Sequence, residues 1–476
     1  MSTAPPNTDQ KAFQINLDAS KYGTFAEIGA GQEAARWFFR VGGAAGTVAK
    51  TISAYDMAVS DAVYGPSDRY VSRKRLQAML EHEWQLLQER LHEKRGATTT
   101  FFVFADTMAA RSFSHHEDGH GWMGIRFQHQ PQTEPSEIII HVHILDHETV
   151  REQEAIGVMG VNIIYGAFYH HPEPAKLIGS LMDNMNRERV EIDMIKFSGP
   201  VFSKIDNRLM SLQLVEQGFT EASMFRENGE VVQPSEILYK KPVLIERGGF
   251  RPITNLTLDI IERATARFRE ELMADTGQGD SNEPFVLMEM SLRDLLGGRR
   301  IDHADFLARV DLLGALGKSV LISSHGRHFR LVPYLRQYTK SRIAFAMGVP
   351  NLREICEDKY YTDLGGGILE GAGRLFQTGV KLYVYPSKDS KTGKLITAET
   401  LSVAPRLRHL QAYLLENQLI ESIRNVDEKQ LGIFPRDVLA KIQSGDPAWE
   451  TMVPPQAVEI IKAQKFFGYK SSVKFP

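Results

Sequence analysis

The side chains best suited to chemistry fall in three groups. The first is Ser323-Ser-His-Gly-Arg-His328. Small residues leave backbone N–H groups open to an anion, a following helix start favours negative charge, and an arginine clamps phosphate or carboxylate. On this pattern Ser323, Ser324, Gly326 and Arg327 hold the anion, and His325 or His328 exchanges protons near neutral pH. Gly348-Val-Pro-Asn351 and Gly365-Gly-Gly367 repeat the theme, and Gly365, Gly366 and Gly367 open a helix of their own. The ordinary reading is that Gly and Ser mark turns and that loop histidines are solvated.

The second group is a concentration of histidine: nine of the 15 lie between His115 and His171. They include His115-His116-Glu-Asp-Gly-His120, His141-Val-His143 and His170-His171. Residues at i and i+2 of a strand point the same way, which is how some hydrolases present zinc ligands. His141 and His143, with Asp106, form the metal-ligand candidates; an exposed polar face produces the same spacing. The third group is glycine-rich: Tyr22-Gly-Thr-Phe-Ala-Glu-Ile-Gly-Ala-Gly-Gln-Glu33 and Gly42-Gly-Ala-Ala-Gly-Thr47. Neither is a Walker motif, since no Gly-Lys-Ser/Thr follows, and neither follows a clear strand. Close helix packing explains them equally well, leaving Glu27, Gln32 and Glu33 as polar candidates. Asp106 ends a strong apolar run, where an aspartate holds a ligand or caps the next helix.

These residues need elements to position them. Periodicity predicts a helix over Arg73–Lys94, with Ser72 as its cap and Gly96 as its stop. Strands are expected at 101–105, 138–145 and 190–197, and helices at 151–169, 174–186, 206–217 and 256–273. A polar, Gly-rich run at 275–284 reads as a linker. Beyond it strands and helices alternate: strand 285–290, helix 304–316, strand 319–323, helix 329–338, strand 342–347, a helix after Pro350, a helix near 367–377 and strand 381–385. That alternation predicts a parallel sheet with right-handed crossovers. The expected fold class is therefore α/β. A disordered 1–12 tail precedes a mixed α/β N-terminal domain (13–274). A parallel Rossmann-like or half-barrel domain (284–390) and a helical C-terminal extension (398–476) follow.

Composition narrows the class. Of 476 residues 42% are hydrophobic and 24% charged, which supplies real cores. A net charge of -3 with mixed signs argues against nucleic acid as a partner. The single cysteine, Cys356, cannot form an internal disulfide or a multi-cysteine zinc site and reads as a buried small hydrophobe, and neither haem nor an iron–sulfur cluster is expected. The N-terminus has no secretory h-region and no apolar run reaches membrane-spanning length, so a cytoplasmic location without a membrane partner is expected.

Tyr22–Glu33, Tyr239-Lys-Lys-Pro242, Lys359-Tyr-Tyr-Thr-Asp-Leu364, Met452-Val-Pro-Pro455 and Phe467-Gly-Tyr469 together resemble a family of long bacterial proteins with inconsistent names. Some of its members are called nicotinate-nucleotide adenylyltransferase. The resemblance covers nearly the whole chain. Adenylyltransferases of that kind pair a strand-following His-x-Gly-His with a later Ile-Ser-Ser-Thr-x-x-Arg. Here His116-Glu-Asp-Gly-His120 has one residue too many between the histidines, and Ile322-Ser-Ser-His-Gly-Arg327 has its arginine early and its threonine replaced. Gly121 onward also reads as a strand where the motif demands a helix.

The leading expectation is an enzyme or binding protein for a phosphorylated or nucleotide-like small molecule. Its most concrete form is nucleotidyl transfer, with His116 and His120 at the triphosphate and magnesium as the ion. A metal-dependent hydrolase built on 115–171, with zinc as one candidate ion, and a non-catalytic homo-oligomeric scaffold are the other two readings.

Overall fold

A computed structural model describes residues 5–29, 31–109, 119–276, 283–297, 300–389 and 391–470. The chain divides at residue 221 into two units, Met1–Glu221 and Ala222–Pro476. The first contains α1 (Thr8–Asn16), β1 (Lys21–Ile28), α2 (Glu33–Arg40), β2 (Val48–Ile52), α3 (Met57–Tyr64), α4 (Arg73–Arg95) and β3 (Thr100–Ala109). It continues with β4 (Gly119–Phe127), β5 (Ser136–Ile144), α5 (Thr149–Tyr169), α6 (Pro174–Leu181), β6 (Val190–Ser198) and α7 (Asn207–Glu216). The strands form one sheet in the order β2-β1-β3-β4-β5-β6. β1 runs parallel to both neighbours, and β3 to β6 form an antiparallel meander.

Period-2 alternation sorts this sheet's side chains. Phe102, Phe104, Met123, Ile125, Ile138, Ile140 and Val142 pack with Ala34 and Phe38 of α2 and with Ile156 and Met159 of α5. Between Ala155 and Ala167, α5 is buried all round, as expected for a helix apolar on every side. Leu76 and Leu80 of α4 meet the opposite sheet face at Gly124. Ser72 accepts from the Arg75 N–H and Gly96 follows the last residue of α4, as expected from the sequence.

The second unit opens with β7 (Ala222–Phe225), β8 (Val231–Val232), α8 (Pro234–Leu238), β9 (Val243–Arg247) and α9 (Asn255–Thr276). Then come β10 (Phe285–Ser291), α10 (Leu292–Leu296), α11 (His303–Ala315), β11 (Ser319–Ser323), α12 (His328–Tyr338), β12 (Ile343–Gly348), α13 (Val349–Ile355), α14 (Gly367–Leu375) and β13 (Val380–Tyr385). A short hairpin of β14 (Ser387–Lys388) and β15 (Leu395–Ile396) precedes α15 (Arg408–Glu416), β16 (Ile420–Ser422), α16 (Pro435–Ser444) and α17 (Pro455–Gln464). The sheet order is β16-β13-β12-β9-β10-β11-β7-β8. From β16 to β11 every pairing is parallel; β7 and β8 close one edge antiparallel. Counting only the parallel strands, this is the 3-2-1-4-5-6 order of a doubly wound Rossmann-like sheet, open rather than a half-barrel.

Several boundaries differ from the sequence expectation: α1 begins at Thr8, inside the expected tail, and the first unit ends at residue 221 rather than 274. The parallel sheet does not begin at residue 284, because β9, only five residues long, already sits at its centre. Pro242 and the brevity of Val243–Arg247 hide that strand from pattern reading. Nor is 398–476 purely helical, since β16 extends the sheet beside β13. Among the described residues no helix is long and apolar enough to cross a membrane.

Candidate functional site

In a doubly wound sheet, connections leave in opposite directions from the two central strands, and their trailing loops part to form a crevice. Here those strands are β9 and β12. A cleft of about 280 Å³ lies at their carboxyl ends. It is lined by Arg247 and Gly248 after β9, Ser291, Arg293 and Asp294 after β10, and Gly326, Arg327, His328 and Phe329 after β11. Asn351, Glu354 and Ile355 after β12 complete it, with Tyr360, Tyr361 and Leu375.

Three arginines against two carboxylates give this cleft a cationic balance. Arg247 is locked in place: its guanidinium engages the buried Glu289 carboxylate through two nitrogens, and the Ser323 hydroxyl donates to the same carboxylate. Burial pushes the Glu289 carboxyl up, against the pull of Arg247. Arg327 lies 3.6 Å over the Tyr360 ring, a stacked guanidinium whose edge pairs with the Glu354 carboxylate at 3.6 Å. It also sits at the N-cap of α12 without a side-chain cap bond, so the first N–H groups of that helix have no side-chain acceptor. His328 packs edge-on to Phe345. Burial, then Arg247 and Arg327, pulls its pKa well down. Burial, then Arg247 and Arg330, holds His325 at about 4. Both rings are neutral at physiological pH and offer hydrogen bonds rather than charge.

Gly326, Arg327 and His328 therefore face the cleft, while other residues of the sequence pattern do not. Ser323 is buried; it accepts from the His325 N–H, so it shapes the turn. Ser324 and His325 are not among the lining residues. Gly365, Gly366 and Gly367 also lie outside it. The Gly366 N–H already donates to the Glu370 carboxylate at 2.8 Å, and Gly367 supplies the left-handed turn (φ +56°). Arg247, Arg293 and Tyr360 were missed by motif reading. The apolar run Val243-Leu-Ile ending in Arg247-Gly-Gly249 was the signal for the first.

The first unit gathers a second set. His120 lies opposite His143, and Trp122 opposite His141, on adjacent antiparallel strands, so all four share a face. The β5–β6 register shifts at His141/Val142, where His141 faces Met194 and Val142 faces Ile192. Asp193 is the extra residue of that bulge. Its carboxylate lies 2.7 Å from His141 Nδ1 and 3.1 Å from His143 Nε2. His120 Nδ1 lies 3.3 Å from His141 Nε2. Burial opposes ionisation of Asp193, but His141 and His143 prevail and its carboxyl stays well below the usual range. Burial, then the two neighbouring imidazoles, lowers His120 to about 4. His115 and His116 fall outside the described residues. His120 belongs to this histidine set, in a different unit from the arginine-lined cleft.

Asp106 is not part of that set. β3 runs on to Ala109 because β4 pairs with it as a hairpin, so Asp106 neither ends a strand nor caps a helix. Its register partner on β1 is Glu27. Glu27 accepts the Ala34 and Ala35 N–H groups at the start of α2, and Asp106 accepts the Ile28 N–H. Burial is the first cause raising both carboxyls, and each carboxyl also opposes ionisation nearby: Glu27 that of Asp106, and Glu33 that of Glu27. Gly29 serves packing: a Cβ there (φ +105°) would stand 1.9 Å from the Met108 carbonyl oxygen. Cys356 is half-buried, and burial pushes its thiol up to about 11, which makes it inert.

No protein-family model matches the chain, and no curated protein matches it. Similar solved structures include competence/damage inducible protein CihA from Agrobacterium tumefaciens, 15% identical over 34% of this chain and 97% of that one, with a TM-score of 0.25. A competence or damage-inducible protein from Enterobacter asburiae is 9% identical over 34% of this chain and 99% of that one, with a TM-score of 0.26. Plasmodium falciparum nicotinic acid mononucleotide adenylyltransferase complexed with APC is 9% identical over 48% of this chain and 98% of that one, with a TM-score of 0.28.

Proposed function

We propose that the second unit binds a phosphorylated, nucleotide-like small molecule in the crevice between β9 and β12. One observation carries this reading: Arg247, Arg293 and Arg327 converge from three different strand ends at the point where the sheet changes winding direction. Arg327 and the start of α12 hold a phosphate, the Tyr360 ring and Arg327 plane offer a stacking surface, and neutral His328 supplies a hydrogen bond. Asp294 and Glu354 stand at the same cleft, where a magnesium ion carried by the ligand would find carboxylate oxygens.

Nucleotidyl transfer is the specific form of this reading. The phosphate oxygen of an acceptor mononucleotide attacks the α-phosphorus of a nucleoside triphosphate, and pyrophosphate leaves. The work is positioning and charge neutralisation, which arginines and magnesium supply. Of the histidines singled out in the sequence, His328 is the one this cleft offers to the reaction.

Thermal-shift and calorimetric titration with AMP, ATP and nicotinate mononucleotide, with and without magnesium, tests the proposal. At least one of them raises the melting point, since a ligand that binds the native form alone stabilises it. Arg327→Ala weakens that ligand by about thirty-fold, the scale of one lost charge-assisted contact of roughly 2 kcal/mol, and leaves the unliganded melting point unchanged. No shift with any phosphorylated ligand, or an equal affinity in Arg327→Ala, removes the reading. Pyrophosphate release from ATP plus nicotinate mononucleotide checks the transfer step separately.

A further inference from the structure

The histidine face of the first unit carries an inference that does not depend on the crevice. One donor atom from each of His141, His143 and Asp193 lies within 4.8 Å of the others, and His120, outside that trio, faces His141 and His143 from the neighbouring strand. The distances show how they divide the work. At 2.7 Å from Asp193, His141 Nδ1 carries the proton and donates it. That leaves its Nε2 as a lone pair, and this is the atom that faces His120 Nδ1 at 3.3 Å. A nitrogen–nitrogen separation of 3.3 Å is long for a good hydrogen bond. It matches the edge of a tetrahedron of nitrogens around a zinc-sized ion, about 3.3 Å for metal–nitrogen bonds of about 2.0–2.1 Å.

We propose that His120, His141 and His143 ligate a divalent transition-metal ion of the zinc class, with Asp193 behind them as the carboxylate that orients the rings. A carboxylate holding the far nitrogen of a ligating histidine is the usual outer-shell partner, because it fixes both tautomer and ring plane. The fold places each part for this role. Antiparallel pairing sets His120 against His143, and the bulge inserts Asp193 between His141 and His143. His141 and Asp193 are buried, which fixes the floor of the site, whereas His120 and His143 are partly exposed, which leaves an ion a way in. Three imidazoles suit zinc, iron, nickel or copper rather than magnesium or calcium.

The test uses full-length protein stripped with a strong chelator, dialysed and titrated with cobalt(II) and zinc(II). Cobalt binds at one equivalent per chain, gives the ligand-field absorption of a nitrogen-rich site and is displaced by zinc. His120→Ala and His143→Ala, at partly exposed positions, keep the circular dichroism of the parent and weaken cobalt at least ten-fold. Asp193→Asn weakens it by about 10- to 100-fold while keeping the same spectral class, as an outer-shell partner does. His141→Ala abolishes binding, and because its ring is buried its fold is checked in parallel. Absence of saturable cobalt or zinc binding overturns the proposal and leaves a hydrogen-bonded polar cluster. Binding unchanged in both His120→Ala and His143→Ala overturns it too.

Discussion

The two units assemble reactive side chains in opposite ways. In the second, every strand from β16 to β11 runs in the same direction, so polar residues collect beyond the strand ends, on loops. In the first, β3 to β6 alternate in direction, and the polar residues collect on the face of the sheet, ring against ring across neighbouring strands. In the parallel sheet, buried on both faces, the polar cluster of Arg247, Glu289 and Ser323 sits toward the strand ends. An antiparallel sheet with one face less covered can hold such a cluster in mid-strand. The cleft is therefore made of long cationic side chains that reach in from separate strand ends to meet a ligand from outside. The histidine set is made of short, fixed rings that already meet one another.

That contrast predicts unequal costs for removing its parts. Asp193→Ala, in metal-free protein, strips two histidines of a fully buried carboxylate partner and should destabilise the first unit by about 3 kcal/mol. Urea unfolding of the full chain measures this, and ligand binding in the arginine cleft should not move; a coupled loss would break the distinction between the units.

The next effect is pH-dependent. The Glu27 and Asp106 carboxyls are raised chiefly by burial, so the folded protein retains a proton that the unfolded chain releases. Their favourable contribution is complete below the ordinary carboxylate range and is lost as pH climbs through the raised values, about 7 for Glu27. Asp106→Asn keeps the acceptor for the Ile28 N–H and removes the charge. Its stability should exceed that of the parent by on the order of 2 kcal/mol at pH 8, with the difference vanishing toward pH 4. A gain that is equal at both ends of that range contradicts the assignment.

The smallest effect is expected at the glycine turn. Glu370→Ala removes the carboxylate that satisfies the Gly366 N–H and should cost about 0.5–1 kcal/mol, with no change in affinity for any phosphorylated ligand. A gain in phosphate affinity would show that the turn is an anion site held closed by its own side chain.

Local pattern made part of this visible. The alternation of strands and helices after residue 284, the boundaries of α4 and the common face of His141 and His143 all follow from periods of 2.0 and 3.6. Partners brought together by pairing did not. Nothing near His141 in the chain names Asp193, because 52 residues and a register shift separate them. Arg247 was hidden because β9 is short and precedes the linker that looked like a boundary. Asp106 was misplaced because an apolar run says where a strand begins to lose hydrophobicity, whereas its length is set by the hairpin partner.

The bulge between β5 and β6 has one more consequence. Side chains of a straight ladder change sides at every step, so deleting the single extra residue, Asp193 itself, would restore an unbroken register, with Met194 opposite His141, and leave the imidazoles facing a thioether in place of a carboxylate. Point changes at this locus only weaken what is there. A one-codon deletion would erase it while leaving the strand's composition almost intact, which makes chain length between Val190 and Met194, more than residue identity, the quantity that divergence would have to hold constant.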